Sequence, residues 1–199
     1  MPPIRILGIS GSLRRGSHNT SLLRAAARLL PPGVELEIYD RLGALPHYNE
    51  DLDVDPVPEP AADLRTAIAS ADGLLIATPE YNGSVPGALK NAIDWASRPF
   101  PDNALAHKPV AVMGASTGIF GAVWAQAEVR KALKTAGADV LENEVPIGQA
   151  HGAFTEQGQL GDPELQSALE ELLEALVSRA AASAGRGALM EESTAGNAA

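Results

Sequence analysis

Hydroxyl, amide and guanidinium groups crowd one short segment of this chain, Gly8-Ile-Ser-Gly-Ser-Leu-Arg-Arg-Gly-Ser-His-Asn-Thr20. Ser10, Ser12 and Ser17 offer hydroxyls, and Arg14 and Arg15 bring positive charge. Gly11 and Gly16 let backbone N–H groups turn inward. Asn19 and Thr20 fall in the first turn of an expected helix, beside its positive dipole end. The chemistry this set suits is phosphate binding. The dinucleotide pattern G-x-G-x-x-G is absent, and no Gly-Lys-Ser/Thr follows. Many donors around several oxygens fit a terminal monophosphate. A plain turn before a capped helix is the other reading of the same residues.

Two more segments have unusual composition. In Thr78-Pro-Glu-Tyr-Asn-Gly-Ser-Val-Pro86, Pro79 ends a strand and Tyr81-Asn82-Gly83-Ser84 reads as a turn. A planar ring lying on that turn would meet backbone N–H groups and the Tyr81 face. Glu80 is a candidate base with no partner acid in view. Trp95, on the helix that follows, reads as core or interface. In Gly114-Ala-Ser-Thr-Gly-Ile-Phe-Gly121, small residues admit a ligand to the backbone, and Ser116 and Thr117 can donate. His18 adjoins the phosphate loop. His107 and His151 have no companions at ligand spacing, so no metal site is expected.

These loops need a scaffold, and the hydrophobic pattern supplies one. Apolar runs mark strands at Ile4–Ser10, Val34–Tyr39, Gly73–Thr78, Pro109–Ala115 and Asp139–Val145. Helical patterns alternate with them at Ser17–Leu30, Pro60–Ala71, Pro86–Ser97, Gly121–Ala136 and Pro163–Ala181. Alternation of this kind implies an α/β fold with a parallel sheet covered on both faces. Such sheets bind ligands beyond the carboxyl ends of their strands. The three loops follow the first, third and fourth strands.

The chain has 199 residues, 45% of them apolar, which suits one domain over 1–182. Residues 183–199 are rich in Gly, Ala, Ser and Glu and read as a disordered tail. There is no cysteine, so redox chemistry needs a bound cofactor. The net charge of −10 argues against nucleic acid as a partner. No apolar run approaches a membrane span and no secretory signal is visible, so a cytoplasmic location is expected.

The patterns G-x-S-G-S-L-R-x-x-S-x-N, P-E-Y-N-G-S-x-P-G-x-L-K-N-x-x-D-W and G-A-S-x-G together resemble the NADPH-dependent FMN reductase family. They lie at Gly8–Asn19, Pro79–Trp95 and Gly114–Gly118, and Leu45–Leu52 is similar to a further family segment. The resemblance implies a flavodoxin-like three-layer sandwich with a five-stranded parallel sheet in the order 2-1-3-4-5. It implies that Ser10, Ser12, Arg14, Ser17, Asn19 and Thr20 surround the FMN phosphate. Pro79, Glu80, Tyr81, Asn82 and Gly83 would line the isoalloxazine, and Ser116, Thr117 and Gly118 would approach its pyrimidine end. Where the family often has Pro, this chain has Thr117. The implied donor is NADPH or NADH, and the chemistry belongs to FMN, with no catalytic side chain required. The implied acceptor is a small molecule: a quinone, chromate, an azo compound or free flavin. A homodimer or homotetramer is implied, with the flavin near a subunit interface, where His47 could touch a neighbour's site. A flavodoxin-like electron carrier without enzymatic activity is the alternative.

Overall fold

The computed structural model describes the backbone of residues 2–196 and the side chains of residues 2–185. Six strands, β1 (Ile4–Ser10), β2 (Val34–Tyr39), β3 (Gly73–Thr78), β4 (Pro109–Ala115), β5 (Asp139–Val140) and β6 (Pro146–Ile147), form one sheet. All the pairings are parallel, in the order β2-β1-β3-β4-β5, with β6 also on β4. Five helices accompany them: α1 (His18–Leu29), α2 (Glu59–Ser70), α3 (Gly87–Ala96), α4 (Val123–Thr135) and α5 (Pro163–Gly196).

The layers follow from which strands are apolar on both sides. β3 and β4 are buried along their whole length, as central strands must be. On one face, Leu74, Ile76, Val110 and Val112 pack with Leu64, Leu89, Trp95 and Val129 of α2, α3 and α4. On the other, Leu75, Ala77, Ala111 and Met113 pack with Leu22, Leu23, Leu172 and Leu176 of α1 and α5. β2 alternates in burial, which suits its place at the sheet edge. At about 25 cal/mol per Å² of apolar surface, each fully buried Leu or Ile stabilises the fold by roughly 2 kcal/mol before entropy is charged against it.

One expectation needs correction. The strand read over 139–145 is two short strands. β5 pairs with Pro109 and Val110 at the start of β4, and β6 pairs with Gly114 and Ala115 at its end. Between them Glu142 and Glu144 turn aside to form ion pairs with Lys134 and Arg130 of α4. Leu141 and Val145 still fill the core. The backbone of α5 runs on as helix through Gly196, over the start of the segment expected to be a tail. Residues 197–199 lie outside the described residues.

The register sets the working edge. Ser10 pairs with Ala77, and Thr78 with Gly114, so β1, β3 and β4 end side by side. Strand order reverses between β1 and β3, since β2 lies on one side of β1 and β3 on the other. The three unusual loops therefore leave the sheet together.

Candidate functional site

A cleft of about 370 Å³ opens at that edge, a size suited to a small ligand. Ser12, Arg14, His18 and Asn19 border it from the first loop and α1, Pro79, Glu80 and Tyr81 from the second loop, and Ala115, Ser116 and Thr117 from the third. A larger groove of about 660 Å³ lies between α3 and α4. None of the residues lining it belongs to the three loops, and the switch point favours the smaller cleft as the candidate site.

The first loop spends much of its polarity on itself. Ser17 is the N-cap of α1: its Oγ accepts from Thr20 N at 3.2 Å and its carbonyl from Ser21 N at 3.0 Å. That leaves the N–H groups of His18 and Asn19 as the first-turn donors directed out of the helix. Ser10 is buried, and its Oγ accepts from Thr20 Oγ1 at 3.0 Å and Ser12 N at 3.4 Å. Asn19 is also buried. Its Nδ2 donates to Ala115 O and its Oδ1 accepts from Ala115 N, both at 2.9 Å. Of the six residues expected around a phosphate, the side chains of Ser12 and Arg14 are therefore the ones turned to the cleft, while Ser10, Ser17, Asn19 and Thr20 hold the loop in shape. Sequence reading left His18 unassigned, yet it lines the cleft wall. Burial first, then the nearby charges of Arg14 and His151, push its pKa below the usual 6.5, so the imidazole is neutral at pH 7. His151 lies 133 positions further along the chain, and no local signal announces that neighbour.

The second loop is a tight hairpin. Tyr81 and Ser84 exchange both backbone hydrogen bonds at 3.1 Å, and Asn82 and Gly83 have φ of 53° and 71°. Two successive positive φ values make a type I′ turn, for which Asn-Gly is the preferred pair. Asn82 and Gly83 stand at its exposed tip, outside the wall of the cleft. Pro79 is buried; a Cβ on Gly11 would come within 3.2 Å of its ring, so glycine lets the first two loops approach. Glu80 borders the cleft but is not placed as a base. Its Oε2 accepts from the N–H groups of Trp124 and Ala125, each at 3.1 Å, at the start of α4. The N-cap position of α4 is Ala122, which has no side-chain acceptor, and Glu80 supplies the missing cap from another loop.

The third loop is fastened to β6 and the turn beyond it. Ser116 N donates to Ile147 O, and Ser116 O accepts from Ala150 N, both at 3.0 Å. Gly118 O accepts from Gln149 N at 2.9 Å, and Gly118 N donates to Ser116 Oγ at 3.1 Å. Thr117 is exposed at the cleft mouth. A Cβ on Gly121 would fall 2.4 Å from the Pro146 carbonyl carbon, so only glycine fits between the loop and β6. Trp95 is fully buried, and its Nε1 donates to Pro46 O at 2.8 Å. Asn91 binds the same strap at Pro46 O and Tyr48 N, which accounts for the Asn and Trp of the long motif.

The donor set fits FMN. One end of the cleft offers a guanidinium, a hydroxyl and a helix N-terminus, with the one adjoining carboxylate, Glu80, already engaged. The other end offers small residues and exposed backbone. The comparisons agree. The model of the NADPH-dependent FMN reductase family matches residues 4–152. An NAD(P)H-dependent FMN reductase of Pseudomonas aeruginosa is 45% identical over 174 residues, 87% of this chain and 93% of that protein. A quinone reductase of Pseudomonas putida is 40% identical over 155 residues, 77% and 83% of the two chains. The solved structure of FerB, a flavoenzyme NAD(P)H:(acceptor) oxidoreductase from Paracoccus denitrificans, superposes with a TM-score of 0.79 at 36% identity. That match covers 89% of this chain and 97% of FerB.

Asn19→Ala strips two hydrogen bonds from the buried backbone of Ala115. Leaving that N–H and C=O unpaired costs roughly 2–4 kcal/mol, which urea unfolding would show as a lowered midpoint. An unchanged midpoint would mean that the contact does not hold α1 to β4.

Proposed function

Because this chain belongs to the NADPH-dependent FMN reductase family, we propose that it is an FMN-dependent NAD(P)H oxidoreductase whose acceptor is a quinone. FMN and a reduced nicotinamide nucleotide are its cofactor and donor. The observation that carries the reading is the convergence on one cleft of the α1 N-terminus, the Tyr81–Ser84 turn and the Ser116–Gly118 loop. When bound, FMN supplies the redox chemistry, taking a hydride from the nicotinamide and passing two electrons to the acceptor.

The chain's own work is binding and orientation. Ser12, Arg14 and the N–H groups of His18 and Asn19 hold the phosphate against a protein field that is negative overall. Pro79, Tyr81 and the backbone of Asn82 and Gly83 carry the ring. Ser116, Thr117 and Gly118 meet the pyrimidine end, where N–H donors favour the negative charge that develops there. Glu80 serves as the cap of α4.

The quinone reading is supported by the name of the Pseudomonas putida relative. Chromate, azo compounds and free flavin form the wider acceptor set suited to an exposed ring. A cytoplasmic location suits an enzyme that draws on the cell's reduced nicotinamide nucleotides. Among the described residues no helix is long and apolar enough to cross a membrane. A homodimer or homotetramer is supported by the surface of Ile119, Phe120 and Trp124, all more than half exposed. Ala180 is the last residue of α5 buried among the described side chains, which supports a domain end near 182.

Protein mixed with FMN and desalted is expected to be yellow, to bleach with NADPH under anaerobic conditions, and to regain colour with benzoquinone. Light scattering on the same sample should give two or four chains. A preparation that retains no flavin sinks the proposal; one that NADPH cannot bleach makes the protein an electron carrier.

Ser12→Asp places a carboxylate among the phosphate donors. It should abolish flavin retention while leaving the circular dichroism spectrum unchanged, and full occupancy in that variant would put the phosphate elsewhere.

A further inference from the structure

Resting on the flavin reading above, we propose that Glu128 is a positioning residue that fixes the ring-contacting turn from behind. Glu128 lies on α4, outside all three loops of the cleft. Its Oε2 accepts from Ser84 Oγ at 2.5 Å and from Val85 N at 3.4 Å. Glu80, at the opposite end of the same hairpin, is held by the N–H groups of Trp124 and Ala125. The turn is therefore fastened to α4 twice, with the carboxylate coming from the loop at one end and from the helix at the other.

The spacing explains why one helix can do this. Residues 124 and 128 are one turn apart, about 6 Å along the axis. The two ends of a tight turn stand less than about 7 Å apart. The helix repeat thus matches the width of the hairpin. Between the two fastenings the backbone is closed by the Tyr81–Ser84 pair, so the exposed tip at Asn82 and Gly83 has little freedom of its own. Loss of the Glu128 contact leaves the hairpin hinged on Glu80 alone. The tip then no longer holds its N–H groups at a fixed place beside the cleft. Pre-organised donors of this kind act on a bound ring through their placement, so the effect should reach flavin affinity and potential as well as stability.

The test uses the full chain with Glu128→Ala, Ser84→Ala, the double variant and Glu128→Gln. Each alanine variant should weaken FMN binding, read by fluorescence quenching, about tenfold, the size of one lost charge-assisted hydrogen bond. The double variant should be no worse than Glu128→Ala, which already removes both bonds. Glu128→Gln should recover most of the affinity, because its amide oxygen can accept the same two donors. If the lost donors favour the two-electron-reduced flavin, a tenfold loss of that preference lowers its midpoint potential by about 30 mV. Hydrogen exchange at Val85 N–H in the apoprotein should accelerate in Glu128→Ala. Wild-type affinity, potential and exchange in these variants would overturn the proposal, and so would additive losses in the double variant. A fall in melting temperature with FMN affinity and potential unmoved would overturn it too, by making the contact purely structural. If Glu128→Ala does not fold, Ser84→Ala removes the shorter of the two bonds from the turn side. Failure of the flavin reading would show as no FMN binding by the wild type, and Val85 exchange would still decide whether Glu128 holds the turn.

Discussion

Asn19 and Ala115 meet through two hydrogen bonds of 2.9 Å, one donated and one accepted by the same side-chain amide. The contact spans 96 positions of sequence and joins the start of α1 to the end of β4, across β3. Everything about the cleft depends on that distance being held. The N-terminus of α1 adjoins the first loop and the small-residue wall belongs to the third, and a ligand reaching both needs them at a fixed separation. Each such bond adds only about 1 kcal/mol net, but leaving the buried Ala115 backbone unpaired would cost more, so the amide has little reason to turn toward a ligand.

The same rule runs through the other polar groups at this edge. Ser10 and Thr20 hold each other, Ser17 caps α1, and Ser116 takes the N–H of Gly118. On the proposed reading, what remains for the ligand is a smaller set: Ser12, Arg14, two helix N–H groups and the tip of the Tyr81–Ser84 turn. A site built this way binds with less ordering on arrival, because the loop's own groups have already fixed its shape. It also lets an acidic chain hold an anion, since the one carboxylate bordering the cleft is committed to the N-terminus of α4.

Much of the scaffold is visible in sequence, because β1, β3 and β4 are apolar on both faces and their boundaries are set by Gly, Pro and Ser. The three loops are visible too, through composition that no ordinary connection needs. Less visible is how polar side chains divide between ligand and backbone. Ser12 and Asn19 look equally suited to a phosphate when only type and spacing are known. Their partners, Ala115 for Asn19 and the open cleft for Ser12, are decided by a sheet that brings distant residues together. The capping role of Glu80 is hidden for the same reason, since the absence of a capping residue before α4 matters only once Glu80 is seen beside it. The split of the fifth strand had a local sign in Glu142, Asn143 and Glu144, poor strand residues whose pull toward Lys134 and Arg130 is tertiary.

The central claim is that one cleft holds a phosphate at the α1 N-terminus and a flat ring at the Tyr81–Ser84 turn. Backbone amide shifts of the labelled protein test it most directly, titrated first with inorganic phosphate and then with FMN. The account predicts that phosphate moves the amides of His18 and Asn19 with those of the loop around Ser12 and Arg14, and that FMN moves these together with Asn82, Gly83 and Thr117. Shifts centred on the groove between α3 and α4, with His18 and Asn19 unmoved by either ligand, would contradict it.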